Sequence, residues 1–336
     1  MKNIIITGGA GFIGSALIRS LIQNYDYNIL NIDALKYSAN QFAIEEFNTY
    51  KNYSFLKKNI ADEKIINSKI HEFKPNVIFN LAAESHVDRS ISDPDPFMHS
   101  NIYGTYSLLK ASNNYYQKLN SKHKDNFRFI QISTDEVYGD LSNSSLSANE
   151  SFKYLPSSPY SASKAASDHL AYSWYKTYKL PVIISNCSNN FGPFQNSEKF
   201  IPSIILNALN GKDIPIYGDG NQSRDWLYVS DHIEALILLM NNGNIGESYN
   251  ISSGTEIKNI ELARKICNEL ETTKVRSKNK KPYISLLKYV KDRPGHDRRY
   301  SLDSSKIKNE LKWRPSKNIN QALSKTIKWY IQNNNF

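Results

Sequence analysis

The stretch Ile132-Ser133-Thr134-Asp135-Glu136-Val137-Tyr138-Gly139 closes an apolar run, Phe127 to Ile132, with a hydroxyl and two adjacent carboxylates. Carboxylates at the mouth of a buried strand are either a solvated loop or a pair that moves protons for a bound molecule. A second group lies downstream, in Ser158-Pro159-Tyr160-Ser161-Ala162-Ser163-Lys164. Tyr160 and Lys164 are four apart, so on a helix they share one face. Pro159 suits the first helical turn, and Ser157 or Ser158 can cap it. A phenol titrates near about 10 in water, and a neighbouring ammonium favours its ionised form. A phenolate can take a proton from a hydroxyl. Either pair alone is a common structural accident, so the surrounding elements decide.

The first third of the chain supplies such elements. Asn3 to Thr7 is a β-branched run that predicts a buried strand. Thr7 to Ser15 (TGGAGFIGS) follows, then an amphipathic stretch from Ala16 to Asn24. Strand, glycine loop and helix form the context of a dinucleotide fingerprint. Gly9, Gly11 and Gly14 fit G-x-G-x-x-G, and Gly8, Gly11 and Gly14 fit a wider-spaced variant. The glycines let the backbone turn tightly and approach a pyrophosphate at the helix N-terminus. A second strand, Asn28 to Ile32, ends in Asp33. That is about 20 residues past the last glycine, where an acid accepts from the adenosine ribose hydroxyls. The same acid repels a 2′-phosphate, so NAD is expected over NADP.

Ser54 to Leu56 and Val77 to Leu81 read as further strands, with a helix-like stretch from Glu63 to Phe73 between them. The alternation predicts an α/β fold with a doubly wound, Rossmann-like parallel sheet. Ligands in such sheets sit at the carboxyl ends of the strands. Ala82 and Ala83 are small enough for a backbone lying against a cofactor. The strand ending in Ser133 continues the series, so Asp135 and Glu136 are expected at the cofactor rim. Beside a dinucleotide, Tyr160 can take a proton from a hydroxyl while hydride leaves the same carbon.

The chain has 336 residues, more than one core usually supports, so two lobes are expected. The composition is that of a globular protein. The net charge of +10 comes with scattered lysines and many Asn and Ile, which reads as codon bias rather than a nucleic-acid site. The densest run, Lys274 to Lys281, reads as a solvated connection. Cys187 and Cys267 make neither a disulfide framework nor a metal site, so no metal is expected and a reducing compartment is. Ile4-Ile5-Ile6 is too short for a signal-peptide core. No stretch of about 18 apolar residues is present, so no membrane span is expected. These features predict a cytoplasmic protein.

Longer stretches carry a resemblance. They are LAAESHVDRSI (Leu81 to Ile91), STDEVYGD (Ser133 to Asp140), SPYSASKAASDHL (Ser158 to Leu170), SNNFGP (Ser188 to Pro193), GDGNQSRDWLYVSDH (Gly218 to His232) and DRPGHDRRYSLD (Asp292 to Asp303). With TGGAGFIG, and in this order, they resemble the extended short-chain dehydrogenase/reductases acting on nucleotide sugars. Within these the chain is most similar to the dTDP-glucose 4,6-dehydratases, over essentially its whole length. The resemblance implies a hydro-lyase that turns dTDP-glucose into dTDP-4-keto-6-deoxyglucose and water. It implies a tightly held NAD recycled in each turnover, and a product that feeds deoxysugar synthesis, rhamnose included. Tyr160 would take the C4 hydroxyl proton, with Lys164 beside it and Thr134 bonded at the C4 oxygen. Glu136 would take the C5 proton, and Asp135 would protonate the departing C6 hydroxyl. Adjacent acids in opposite roles need different pKa values.

By the same resemblance the cofactor meets Gly8, Gly11, Phe12, Ile13, Gly14, Asp33 and Leu35. Asn59, Ile60, Leu81, Ala82, Ala83, Ser85, Ser100, Tyr160, Lys164 and Asn189 complete that set. The substrate would meet Ser85, Thr134, Asn190, Lys199, Phe200, Ile201 and Pro202. Pro215, Tyr217, Arg224, Asn259, Asp292, Arg293 and His296 would surround its nucleotide, and guanidinium forks at Arg224 and Arg293 match phosphate oxygens. Residues 1–187 are expected as the NAD-binding domain, with 226–251 returning to it. Residues 188–225 and 252–336 are expected as the nucleotide-sugar lobe. A homodimer through the helices after the third and fourth strands is implied, with no nucleic-acid partner.

The chain departs from the pattern at Asn59, where Asp is usual, at Asp33 to Ala39, at Phe191 and at Ser252-Ser253. Two rivals remain. GDP-mannose 4,6-dehydratases and UDP-glucuronate decarboxylases usually carry Ser-Glu where this chain has Asp135-Glu136. Non-catalytic dinucleotide-binding scaffolds commonly lack the Tyr or the Lys.

Overall fold

The computed structural model describes residues 1–333. The last three positions of the expected nucleotide-sugar lobe, 334–336, lie outside the described residues. The strands are β1 (Lys2–Thr7), β2 (Tyr27–Asp33), β3 (Tyr53–Lys57), β4 (Val77–Asn80), β5 (Arg128–Thr134) and β6 (Val182–Cys187). After them come β7 (Asn189–Phe191), β8 (Ile214–Tyr217), β9 (Ser223–Tyr228), β10 (Ser248–Ile251), β11 (Glu256–Lys258) and β12 (Leu287–Val290).

Seven strands form one parallel sheet in the order β10-β6-β5-β4-β1-β2-β3. The chain winds outward from β1 through β3, then returns to the other side of β1 at β4. That reversal is the switch point where such sheets leave a crevice. The β1 run explains the two helical layers. Ile4 and Ile6 point into one core with Leu17 and Leu236, while Ile5 points into the other with Leu108 and Leu109. Alternation along a strand sends neighbours to opposite faces, and both faces are covered. A polar ladder crosses the sheet between the two cores. Thr7 Oγ1 donates to Asn80 Oδ1 at 2.8 Å, and Asn80 Nδ2 donates to Gln131 Oε1 at 2.8 Å. Satisfied in this way, buried amides fix the relative heights of β1, β4 and β5.

The helix Glu63–Phe73 matches its reading. The first helix, Phe12–Asn24, starts four residues before the expected Ala16. Its first turn is Phe12-Ile13-Gly14, where glycine masks helical periodicity. Ser158 caps the helix Pro159–Tyr178: its side chain accepts from the Ser161 N–H, and Ser161 bonds back to the Ser158 N–H. This capping box puts Tyr160 in the first turn. The helix stops at Lys179 in the left-handed region (φ 60°), shortly before Pro181.

A separate core gathers the helices Phe200–Asn210, Asn259–Glu271 and Ile319–Gln332 around Phe191, Trp226 and Leu262. Two small sheets, β11-β9-β7 and β12-β8, flank it. Among the described residues no helix is long and apolar enough to cross a membrane.

Candidate active site

A cleft runs across the carboxyl ends of β1, β2, β4, β5 and β6. Gly8, Gly11, Phe12, Ile13, Gly14 and Asp33 line it. So do Asn59, Ile60, Leu81, Ala82, Ala83, Ser85, Ser100, Tyr160, Lys164 and Asn189. Leu35 is the one expected cofactor residue that does not. Its backbone (φ 53°) forms the turn after β2, and its N–H donates to Asp33 Oδ1 at 2.8 Å.

The cleft fits a dinucleotide on three counts. First, Gly8 and Gly14 allow the loop to close on itself: a Cβ at Gly14 would stand 2.3 Å from the Gly8 carbonyl oxygen, and one at Gly8 2.7 Å from the Ala82 nitrogen. Second, Gly11 caps the first helix without a side chain, and no acid lies in its first turn. The N–H groups of that turn are therefore open to an anion. Third, the Asn189 Oδ1 is buried with no partner among the described residues, so it can accept from an amide.

Asp33 also holds the loop, accepting from the Ala10 N–H through Oδ2 at 2.9 Å. Burial pushes its carboxyl pKa up, and the two N–H bonds from Leu35 and Ala10 oppose that. Each oxygen keeps a second lone pair for a hydroxyl. Asn59 Oδ1 accepts from the Ala61 N–H at 2.9 Å, so its own turn orients the amide. The unusual 34–39 loop is docked. Lys36 pairs with the largely buried Glu84 at 2.6 Å, and the Arg89 guanidinium lies 3.6 Å from the centre of the Tyr37 ring.

At the reaction end, Thr134, Asp135, Glu136, Tyr160 and Lys164 all line the cleft. Thr134 caps the turn Asp135–Tyr138, accepting from the Glu136 N–H, and donates to Asp135 Oδ1 at 3.1 Å. Asp135 is 3% exposed, and its Oδ2 is buried without a partner among the described residues. Burial, followed by the Glu136 charge, pushes the Asp135 carboxyl up to about 8. Burial also raises Glu136, but Arg293, Arg224 and Lys199 oppose it. The neighbouring acids thus sit in different fields: Asp135 feels the Glu136 charge and one cation, Arg224, whereas Glu136 faces three.

Tyr160 is pushed well above the usual phenol range by burial, then by Glu136, Cys187 and Asp135, with Thr134 pulling the other way. Burial lowers Lys164, and its ammonium donates to the Ile132 carbonyl at 2.6 Å. Burial first, and then the Glu136 charge, keep the proton on Tyr160 until another positive charge arrives.

The expected substrate residues divide. Ser85, Thr134, Asn190 and Lys199 line the cleft, and Lys199 donates to the Ser85 carbonyl at 2.8 Å. His232 Nδ1 and Asn190 Oδ1 are 2.9 Å apart, and Asn190 Nδ2 donates to the Ser188 carbonyl, so Asn190 is held by its neighbours. Arg224 and Arg293 stand behind the cleft wall. Arg224 donates to the Asp297 carbonyl at 2.7 Å and lies over the Tyr300 ring, while Arg293 pairs with Asp88 at 2.8 Å.

Tyr217, Asn259, Asp292 and His296 form a second group around Gln222. His296 Nδ1 and Asp292 Oδ1 are 2.6 Å apart, and Gln222 Nε2 donates to Asp292 Oδ2 at 3.0 Å. Tyr217 meets His296 edge-on, Asn259 N–H donates to the Gln222 carbonyl, and Pro215 lies in β8. Ile201 and Pro202 do not line the cleft; their helix buries both, with Ile201 in the smaller core. Phe200 stacks on Trp226, with ring centres 5.8 Å apart.

Sequence reasoning missed Lys36, Glu84, Gln195 and Asn196 in the cleft wall. Glu84 was in view within LAAESHVDRSI, whereas no spacing marked Gln195. It also missed Gln222, although Gln222 belongs to GDGNQSRDWLYVSDH.

Comparison with known proteins fits this geometry. A family model described as GDP-mannose 4,6 dehydratase matches residues 5–326. A dTDP-glucose 4,6-dehydratase of Haemophilus influenzae is 51% identical over 334 residues, covering 99% of each chain. The chain belongs to the dTDP-glucose 4,6-dehydratase family. Two solved members show the shared fold. The Bacillus anthracis dehydratase, in complex with NAD, is 40% identical with a TM-score of 0.88, covering 100% of this chain and 98% of its own. DesIV of Streptomyces venezuelae, with NAD bound, is 36% identical with a TM-score of 0.89, covering 99% of this chain and 98% of its own. Asn59 and the 34–39 loop lie at the glycine end of the cleft, away from the acid pair.

Proposed function

We propose that the chain removes water from dTDP-glucose to give dTDP-4-keto-6-deoxyglucose, holding NAD in the glycine cleft. The observation that carries the reading is the acid pair beside Tyr160: Asp135 is buried next to the Glu136 charge, and the half-buried Glu136 faces Arg293, Arg224 and Lys199. A 4-epimerase has no use for such a pair. Gly8, Gly11, Gly14 and the first helix turn would hold the pyrophosphate, Asp33 the ribose, and Asn189 the nicotinamide amide. When bound, NAD supplies the acceptor for hydride from C4 and its later donor to C6, and its positive charge favours the Tyr160 phenolate.

Tyr160 takes the C4 hydroxyl proton, and Thr134 donates a hydrogen bond to the C4 oxygen. The C4 ketone acidifies the C5 proton, which Glu136 removes in its carboxylate form under Arg224, Arg293 and Lys199. Asp135 gives the proton it holds to the C6 hydroxyl, which departs as water. Glu136 then returns a proton to C5. Acid and base stand side by side because their surroundings separate their proton affinities. The same Asp135-Glu136 sequence favours this reading over the GDP-mannose and UDP-glucuronate rivals.

We assign residues 1–187 with 226–251 to the NAD-binding domain and the remainder to the nucleotide-sugar lobe. β10 pairs with β6, which supports that return. A homodimer is supported by exposed Tyr103, Tyr172 and Tyr178, beside a run of touching rings, Tyr103-Tyr106-Trp174-Tyr178. These belong to helices after the fourth and fifth strands, one strand later than expected. Two free, buried cysteines suit a cytoplasmic setting. Mass spectrometry of dTDP-glucose after incubation tests the reading. Loss of one water without added NAD supports it; reaction only with UDP- or GDP-sugars places the error in the nucleotide pocket.

A further inference from the structure

Among the buried carboxyls that the mechanism does not use, Asp168 shares a helix with Tyr160 and Lys164. Asp168 lies one helical turn beyond Lys164 and two beyond Tyr160, so the three residues share a face of the helix Pro159–Tyr178. It is 2% exposed. Its Oδ2 accepts from Ser133 Oγ at 2.5 Å, from the Tyr154 hydroxyl at 3.2 Å and from Asn186 Nδ2 at 3.4 Å. Its Oδ1 is buried with no partner among the described residues. Three donors on one oxygen fit an ionised acceptor.

This face grips the end of β5 at two consecutive residues. Lys164 donates to the Ile132 carbonyl at 2.6 Å, and Ser133 donates to Asp168. The next three residues are Thr134, Asp135 and Glu136. The two charges also support each other. Lys164 is the largest influence opposing the effect of burial on Asp168, and Asp168 the largest opposing it on Lys164. The other titratable groups facing the pair are Cys187 from β6, Tyr138 from the turn after β5, and Tyr154 from the loop before the helix. None of these is a standing positive charge, so Lys164 is the cation that answers Asp168.

We propose that Asp168 is a positioning residue for the reaction: its charge keeps Lys164 an ammonium inside the protein, and its bond from Ser133 fixes the strand end that presents the acid pair. The catalytic half of this inference rests on the functional reading above; the charge pairing does not.

Two measurements test it. The first follows C4 oxidation alone, using dTDP-6-deoxyglucose, which has no C6 hydroxyl and so does not need Asp135. Absorbance of the reduced nicotinamide is recorded against pH. In Asp168→Asn the alkaline limb of the rate is expected at least about one unit lower than in the parent, because Lys164 loses its proton sooner. Ser133→Ala breaks the hydrogen bond but keeps the charge, so it slows the step without moving the limb. Equal losses in both variants with an unmoved limb would reduce Asp168 to a structural bond and overturn the proposal.

The second is a melting cycle on the substrate-free protein. Lys164→Met is expected to lower the melting temperature less in the Asp168→Asn background than in the parent, since no carboxylate is then left unpaired. Strictly additive shifts would overturn the charge pairing. The cycle needs no substrate, so it separates failure of this inference from failure of the functional reading.

Discussion

The two ends of the cleft are built on different principles. At the adenosine end the charges are tied off: Asp33 accepts two backbone N–H groups, and Lys36 is paired with Glu84. Recognition there comes from close backbone approach and an open helix terminus. At the reaction end the charges are left unsatisfied. Asp135 Oδ2 has no partner among the described residues, and Tyr160 is buried beside the Glu136 charge. A binding surface gains by compensating its polar groups beforehand. A catalytic surface gains by holding titratable groups away from water, so that the substrate completes them.

The strongest break in that contrast is Glu136→Gln. The amide cannot take the C5 proton, so kcat for water loss should fall by about 10³, while bound NAD stays near parental content by absorbance of the denatured extract. Asp135→Asn comes next, with a fall of about 10² and a changed pH profile. Parental activity should decline as pH rises through about 8, where Asp135 loses its proton; the variant should lose that limb.

The same shift has a sign in stability. Its folded-state value lies above the unfolded one, so the folded protein binds the extra proton between about 4 and 8. Asp135 therefore makes the substrate-free protein less stable as pH rises across that window. Asp135→Asn should flatten this component in denaturant titrations.

At the adenosine end, effects should be smaller and confined to affinity. Asp33→Ala should weaken NAD about tenfold by calorimetry, and should leave the rate of the NAD-saturated enzyme within about twofold. Smallest of all is Lys36→Thr. Lys36 is well exposed, so the loss should stay below about 1 kcal/mol and shrink with salt. A large kcat effect at either position would collapse the distinction between the two ends.

The adenosine end was also the more legible in the sequence. Glycines, a strand-ending acid and paired alanines are local signals, because each acts within its own turn. Tyr160 and Lys164 could be placed on one face because Ser158 and Pro159 mark the helix start. The separation of Asp135 from Glu136 could not be read, since it depends on Arg224, Arg293 and Lys199, which the fold brings from distant segments. That Ile201 and Pro202 lie outside the cleft lining could not be read for a related reason. Their segment is helical, and its buried face is set by packing against Trp226 and the helices of the smaller core. Gln222 and His232 act through other side chains, and no spacing reveals that.

The most direct test of the central claim, that two neighbouring acids divide the elimination between them, is a single-turnover reaction of Glu136→Gln with dTDP-glucose. Absorbance of the reduced nicotinamide would be followed together with the mass of the sugar. The account predicts that Tyr160 still takes the C4 hydroxyl proton as hydride leaves C4, so the reduced signal rises and persists while the sugar keeps its water. A parental rate of water loss from Glu136→Gln would contradict it.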